Sequence, residues 1–208
     1  MTTRLIVGIG FAAACWAAMF LLDRRRFWTR ALAGGTVIGA YAVAVDHRGI
    51  GRLLAHGRWP AEAAAGVGAA AVLYGVFWIG DQLLALLLPG LARQVGDLYL
   101  VRGETRPRRI PLVLLVVGPA EELFWRGFVQ HRAGVAVALA CYGAVHLWER
   151  KPVLVLAALA GGAFWGGLLG LTGSLVAPIA CHALWDLAVI VWWPIHPLPA
   201  IVRRRSQP

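Results

Sequence analysis

Residues 110–130 read IPLVLLVVGPAEELFWRGFVQ. The first part is an almost unbroken apolar run. The second carries Glu121, Glu122 and Arg126 among large apolar and aromatic side chains. At about 1.5 Å per residue, such a run matches a hydrocarbon layer about 30 Å thick. Ionisable groups at that depth are costly, and helices that keep them turn them toward a cavity or a partner. Pro119 lacks a backbone donor and disfavours helical geometry at Gly118, which predicts a break or kink there. On that reading the two glutamates fall in the first turn of a new helical piece, where the helix dipole favours negative charge. Glu122 and Arg126 share one face at four-residue spacing and can pair. Glu121 points about 100° away. One carboxylate is then neutralised and one left free, the division that acid/base chemistry requires.

The rest of the chain repeats the apolar pattern. Apolar residues make up 60% of 208 positions and charged residues only 14%, with a mean hydropathy of +0.69. That leaves too little polar surface to cover a soluble globule, for which about a quarter of residues would be charged. The expected class is therefore all-α, a polytopic transmembrane bundle of about seven spans. The other apolar runs cover residues 5–22, 31–45, 61–88, 133–148, 152–171 and 174–193. A cleaved signal peptide is the rival reading of the first run, since Ala12, Ala13 and Ala14 tolerate cleavage. The stronger positive charge follows that run, which suits a retained span with its N-terminus outside. Residues 46–60 read as a polar connection, and residues 89–109 as a longer one whose 98–101 stretch is suited to the membrane interface.

Seven spans with an outer N-terminus and a cytoplasmic C-terminus place fourteen basic residues inside and five outside, the bias expected of a plasma (inner) membrane protein. The net charge of +10 thus reads as topogenic, meeting anionic headgroups rather than nucleic acid. Cys15, Cys141 and Cys181 lie singly inside apolar runs, which excludes a disulfide framework. One transmembrane domain is expected over residues 1–208: N-terminal spans and loop at 1–109, catalytic core helices at 110–193 and a basic tail at 194–208. Gly162, Gly166 and Gly170 form a small-residue ridge that predicts a central place for the sixth span.

Outside residues 110–130, the ionisable groups at membrane depth are Asp81, His146, His182 and Asp186. Asp81 has no evident partner. His182 and Asp186 are four apart on one face, and a carboxylate beside an imidazole fixes its tautomer in both general-base and metal-ligand sites. His146 follows Tyr142 by four residues. From the helix rise, Glu121 lies about 16 Å in from residue 110 and His182 about 12 Å in from residue 174, so their levels nearly meet. His146 lies only about one turn from the basic cluster at Arg150. Either a wet cavity opening to the inner face or a deeper start of the fifth helix reconciles the three.

Glu121-Glu122-x-x-x-Arg126, Tyr142-x-x-x-His146 and His182-x-x-x-Asp186 resemble, in order, the three motifs of the CPBP family, also called the Abi or CAAX type II prenyl-protease family. The resemblance covers about residues 110–193 and implies an intramembrane endopeptidase. It implies that Glu121 activates water together with His146, that Glu122 is held by Arg126, and that His182 with Asp186 stabilises the oxyanion or binds the water. Asp186 stands where that family usually has Asn. The first two motifs are also closer together than usual, so the fourth and fifth spans must join tightly at residues 131–134.

Two imidazoles and a carboxylate can also hold a zinc ion, so a divalent metal on Glu121, His146 and His182 stands beside a metal-free glutamate mechanism. The expected partners are the lipid bilayer and a membrane protein or peptide substrate. A non-catalytic immunity or scaffold protein is the alternative from another class. A proton or ion transporter is a third, disfavoured because broken helices do not recur in two matching halves.

Overall fold

The computed structural model describes residues 3–55 and 57–197, and among them the chain is helical without a strand. The helices are α1 (Thr3–Leu21), α2 (Phe27–Leu54), α3 (Trp59–Leu87), α4 (Pro89–Leu98), α5 (Arg109–Glu122), α6 (Val135–Val145), α7 (Pro152–Thr172) and α8 (Val176–Asp186). Two of them continue as wider π-helix, α5 through Leu123–Gln130 and α8 through Leu187–Trp192. Pro60 and Pro152 stand in the first turns of α3 and α7, where a missing N–H costs nothing. Gly173, at φ +68°, ends α7 in the left-handed conformation that glycine adopts freely. The basic tail lies, from residue 198 onward, outside the described residues.

Three helices, α1, α3 and α7, are long and apolar enough to cross a membrane. Large apolar side chains stand bare on their outer faces, Leu86 at 77% and Leu171 at 88% exposure among them. Water would not tolerate so much uncovered hydrocarbon on a monomer; lipid does. Residues 135–149 and 176–192 are shorter apolar helical stretches.

Contacts fix the direction of each helix relative to its neighbours. Gly35 packs on Val117 and Gly39 on Ala120, so α2 runs parallel to α5 with almost no side chain between them. Gly34 meets Cys15 and Gly8 meets Tyr41, so α1 runs antiparallel to α2. Arg126 and Gln130 reach the carbonyls of Gly162 and Gly166, setting α7 parallel to α5. Gly143 meets Leu159 and Gly166 meets Val135, setting α6 against that direction. Glu122 meets His182 while Gly118 meets Ala183 and Asp186, which makes α8 antiparallel to α5. Gly66 faces Ala177 and Phe77 faces Trp185, so α3 follows α8.

The connections gather at two ends. At one, Arg24 bonds Glu149, Lys151 lies 3.7 Å from Asp97, and the Trp28 indole donates to the Val101 carbonyl. At the other, Arg132 bonds Asp46, the Leu175 amide donates to the Leu53 carbonyl, and the Ser174 hydroxyl donates to Glu62.

Several expectations are corrected. The helix does not break at Gly118–Pro119: α5 runs through Pro119 to Glu122. A single missing donor is tolerated where packed neighbours hold the helix. The distortion comes later, as the π segment. The two glutamates therefore sit in a continuous helix, and the dipole argument for them does not apply. Residues 46–54 are not connection but the end of α2, bent at Asp46 (φ −140°), with Ile50 buried. Residues 89–104 are not plain connection but hold α4 and a 3-10 segment (Tyr99–Glu104), whose Tyr99 is buried against Val95 and Val153. The centre of the bundle is the π segment, where Phe124, Trp125, Phe128 and Val129 are wholly buried. The α7 ridge packs beside it through Gly162 and Gly166, while Gly170 faces open space.

Candidate active site

The π segment brings its ionisable neighbours inward with the core. Glu122 is fully buried and accepts from the Arg126 guanidinium at 3.0 Å. The same carboxylate oxygen, Oε1, lies 2.7 Å from His182 Nδ1 on α8. A carboxylate beside a ring nitrogen at that distance takes its N–H, so Nδ1 is the donor. Arg126 is held in turn by the Gly162 carbonyl at 3.2 Å and lies over the rings of Tyr142 and Trp165, 4.8 and 5.2 Å from their centroids. The clamp on Glu122 expected from four-residue spacing is present, and it has a second jaw on another helix.

His182 differs from its sequence reading. Its Nε2 lies 3.7 Å from Asp186, too far for a hydrogen bond. The group that orients the ring is Glu122, together with Trp165, which stacks on it at 3.7 Å between centroids and 15° between planes. Asp186 packs instead near Gly118 of α5. The helical register put His182 and Asp186 on one face correctly, but the tertiary partner is closer than the local one.

Glu121 points elsewhere and receives the Tyr142 hydroxyl on Oε2 at 3.0 Å. His146 is buried one turn further along. Its Nδ1 is 2.7 Å from the Tyr142 carbonyl, and its Nε2 lies 3.4 Å from the Trp16 indole N–H. A carbonyl only accepts and an indole only donates, so Nδ1 carries the proton and Nε2 offers its lone pair. No hydrogen bond joins Glu121 to His146 among the described residues; Tyr142, bonded to both, stands between them. Trp16 was invisible as a site residue because an aromatic in an apolar run looks like any other.

The free side of Glu121 faces a narrow cavity of about 200 Å³, with room for about one water molecule. Three helices converge on it: α1 with Cys15, Trp16 and Met19, α2 with Arg30 and Gly34, and α5 with Val117 and Glu121. It extends from Glu121 toward Arg30, at the end of the bundle that carries Arg24 and Glu149. Its lining includes Glu121 but neither His146 nor His182. The tight join between the fourth and fifth spans is present too: one helical turn, His131–Ala133, then Gly134 at φ +84° and α6.

Among the described residues no three His, Cys, Asp or Glu side chains are grouped to hold a metal ion. Within the set Glu121, His146 and His182, both imidazoles have Nδ1 engaged by protein oxygens. Two buried acids lie outside the site. Asp81 has a partner after all, His196 Nδ1 at 2.9 Å. Glu62, near the start of α3, accepts from Ser174 at 2.8 Å; sequence reading missed it because an acid near the end of a span is ordinary.

Residues 105–188 match the family described as Type II CAAX prenyl endopeptidase Rce1-like. The match holds all three motifs and covers about two fifths of the chain. No curated protein and no solved structure matches the chain.

Proposed function

Starting from the chain's place, through residues 105–188, in the type II CAAX prenyl endopeptidase Rce1-like family, we propose that it is an intramembrane endopeptidase in which Glu121 activates the attacking water. The observation that carries this reading is the division of the acidic pair. Glu122 is locked between Arg126 and His182, while Glu121 has one oxygen on Tyr142 and faces the cavity. Glu121 takes a proton from water as the oxygen attacks the scissile carbonyl carbon, then gives that proton to the leaving amine as the C–N bond breaks. The products are a carboxylic acid and an amine, and the base is restored. His182, oriented by Glu122 and Trp165, presents Nε2 toward Asp186; as the imidazolium it donates from Nε2 to the oxyanion, and as the neutral ring it accepts from the water on Nε2. His146 acts with Glu121 through Tyr142.

Glu121→Gln tests this. General acid/base groups contribute about 100- to 10,000-fold. The variant should lose cleavage by that factor in purified protein, with an unchanged thermal transition. Undiminished cleavage would sink the catalytic reading and leave the scaffold alternative. In cells, the C-termini of membrane proteins should differ between the wild-type and Glu121→Gln forms.

We also propose seven passes in the plasma membrane, with the N-terminus outside. Alternating helix directions, and contacts that join odd connections at one end and even ones at the other, support it. Thiol-reagent access to single cysteines placed at residues 103 and 134 tests it. Residue 103 should react only from inside and residue 134 only from outside.

A further inference from the structure

The last two turns of α2 carry two charges that have no role in the reaction above. Beyond the bend at Asp46, this segment turns Ile50 into the core and leaves Arg48 and Arg52 exposed, four apart on one face. Gly51 and Ala55 lie beside them, and the four residues line a shallow groove. A methyl on Gly51 would meet nothing within 4 Å, so the floor is open. Like charges at four-residue spacing repel. The acids at this end of the bundle are engaged elsewhere: Asp46 is bonded to Arg132 and the Gly49 amide, and Glu62 is buried on Ser174. Among the described residues, neither the Arg48 nor the Arg52 guanidinium has a hydrogen-bond or ion-pair partner. On the seven-pass reading both belong to the outside minority of basic residues, so topogenic charge does not account for them.

Trp59, just past the groove, is 59% exposed and donates its indole N–H to the Leu54 carbonyl. Exposed amphipathic rings mark the headgroup level of a bilayer. On the bilayer side of the bend, α2 leaves Val37, Ala40 and Ala44 exposed at three- and four-residue spacing, a low apolar face for an acyl chain. We infer that Arg48 and Arg52 seat the phosphate of an anionic phospholipid over the floor formed by Gly51 and Ala55. The guanidinium fork matches phosphate oxygens, and charge-assisted bonds to them are strong. A zwitterionic headgroup fits less well, because its ammonium group is repelled by the same arginines. The seat rests on the membrane reading alone and is independent of the protease reading.

The test is native mass spectrometry of the full chain, released from zwitterionic micelles that hold phosphatidylglycerol and phosphatidylcholine in equal amounts. The chain should retain phosphatidylglycerol about tenfold over phosphatidylcholine. Arg48→Gln/Arg52→Gln should abolish that preference. Gly51→Leu, which keeps both charges and fills the floor, should lower it about threefold or more. Arg25→Gln/Arg26→Gln removes two exposed charges at the other end of the bundle and should leave it unchanged. Equal retention of the two lipids by the unaltered chain overturns the proposal, even where a variant fails to fold. So does a preference that survives Arg48→Gln/Arg52→Gln. A preference that falls as far with Arg25→Gln/Arg26→Gln reports diffuse surface charge and also overturns it. With inorganic phosphate added, the lipid should stay bound; its replacement by the free ion overturns the lipid seat.

Discussion

Replacing Arg126 by Met tests whether the buried clamp holds the bundle together. Arg126 and Glu122 are 3% and 0% exposed at the side chain, with 3.0 Å between their bonded atoms. Opposite charges with centres about 4 Å apart attract by about 4 kcal/mol at an effective dielectric of 20. An unfolded state in a micelle keeps its helices, and there the same four-residue pair contributes only about 0.2–0.5 kcal/mol. Losing the guanidinium also removes its bond to the Gly162 carbonyl and two cation–ring contacts, while Glu122 stays buried against His182. The loss expected is about 3–5 kcal/mol, the range for breaking a buried pair from one side. The assay is equilibrium unfolding in mixed micelles with rising dodecyl sulfate. Removing the orphaned charge as well, in Glu122→Gln/Arg126→Met, should recover at least half of the loss. A loss below about 1 kcal/mol, or additive effects of the two substitutions, would refute the reasoning.

Trp16→Phe keeps an aromatic ring against Trp125 but removes the N–H that faces His146 Nε2. Cleavage should fall about three- to tenfold with little change in thermal stability, and an equal fall in both would mean that Trp16 only packs. Gly66→Ala would put a methyl 2.5 Å from the Ala177 carbonyl oxygen, whereas Gly68 and Gly75 face nothing within 4 Å. The first substitution should cost about 1–3 kcal/mol by thermal unfolding and the other two nearly nothing; equal effects would show that α3 does not pack closely on α8. Treatment of purified protein with a strong chelator should leave cleavage unchanged, and a loss restored by zinc would overturn the metal-free form of the mechanism.

The site was legible where the sequence breaks its own composition. Glu121, Glu122, Arg126, His182 and Asp186 stand out because charge inside an apolar run needs a reason. Helical spacing then gave the Glu122–Arg126 pair, since both residues ride one helix. It could not give the second jaw on Glu122, because His182 comes from a helix 60 residues away. Asp81 looked orphaned for the same cause: His196 lies 115 residues further on. Trp16 was hidden by ordinariness, an aromatic among apolar residues. Pro119 misled because its effect on an isolated helix was taken for its effect in a packed bundle. The missing bond is local, while the neighbours that keep α5 helical through Pro119 are not.

The cavity beside Glu121 has walls of different provenance. Val117 and Glu121 come from the stretch that matches the family, and Trp16, Met19, Arg30 and Gly34 from two helices that precede it. The acid proposed to activate water and most of the wall beside it are thus encoded in separate parts of the gene. Substitutions in α1 and α2 can therefore reshape the space beside Glu121 with every motif residue in place, and two proteins alike in their motifs can differ in what reaches that carboxylate.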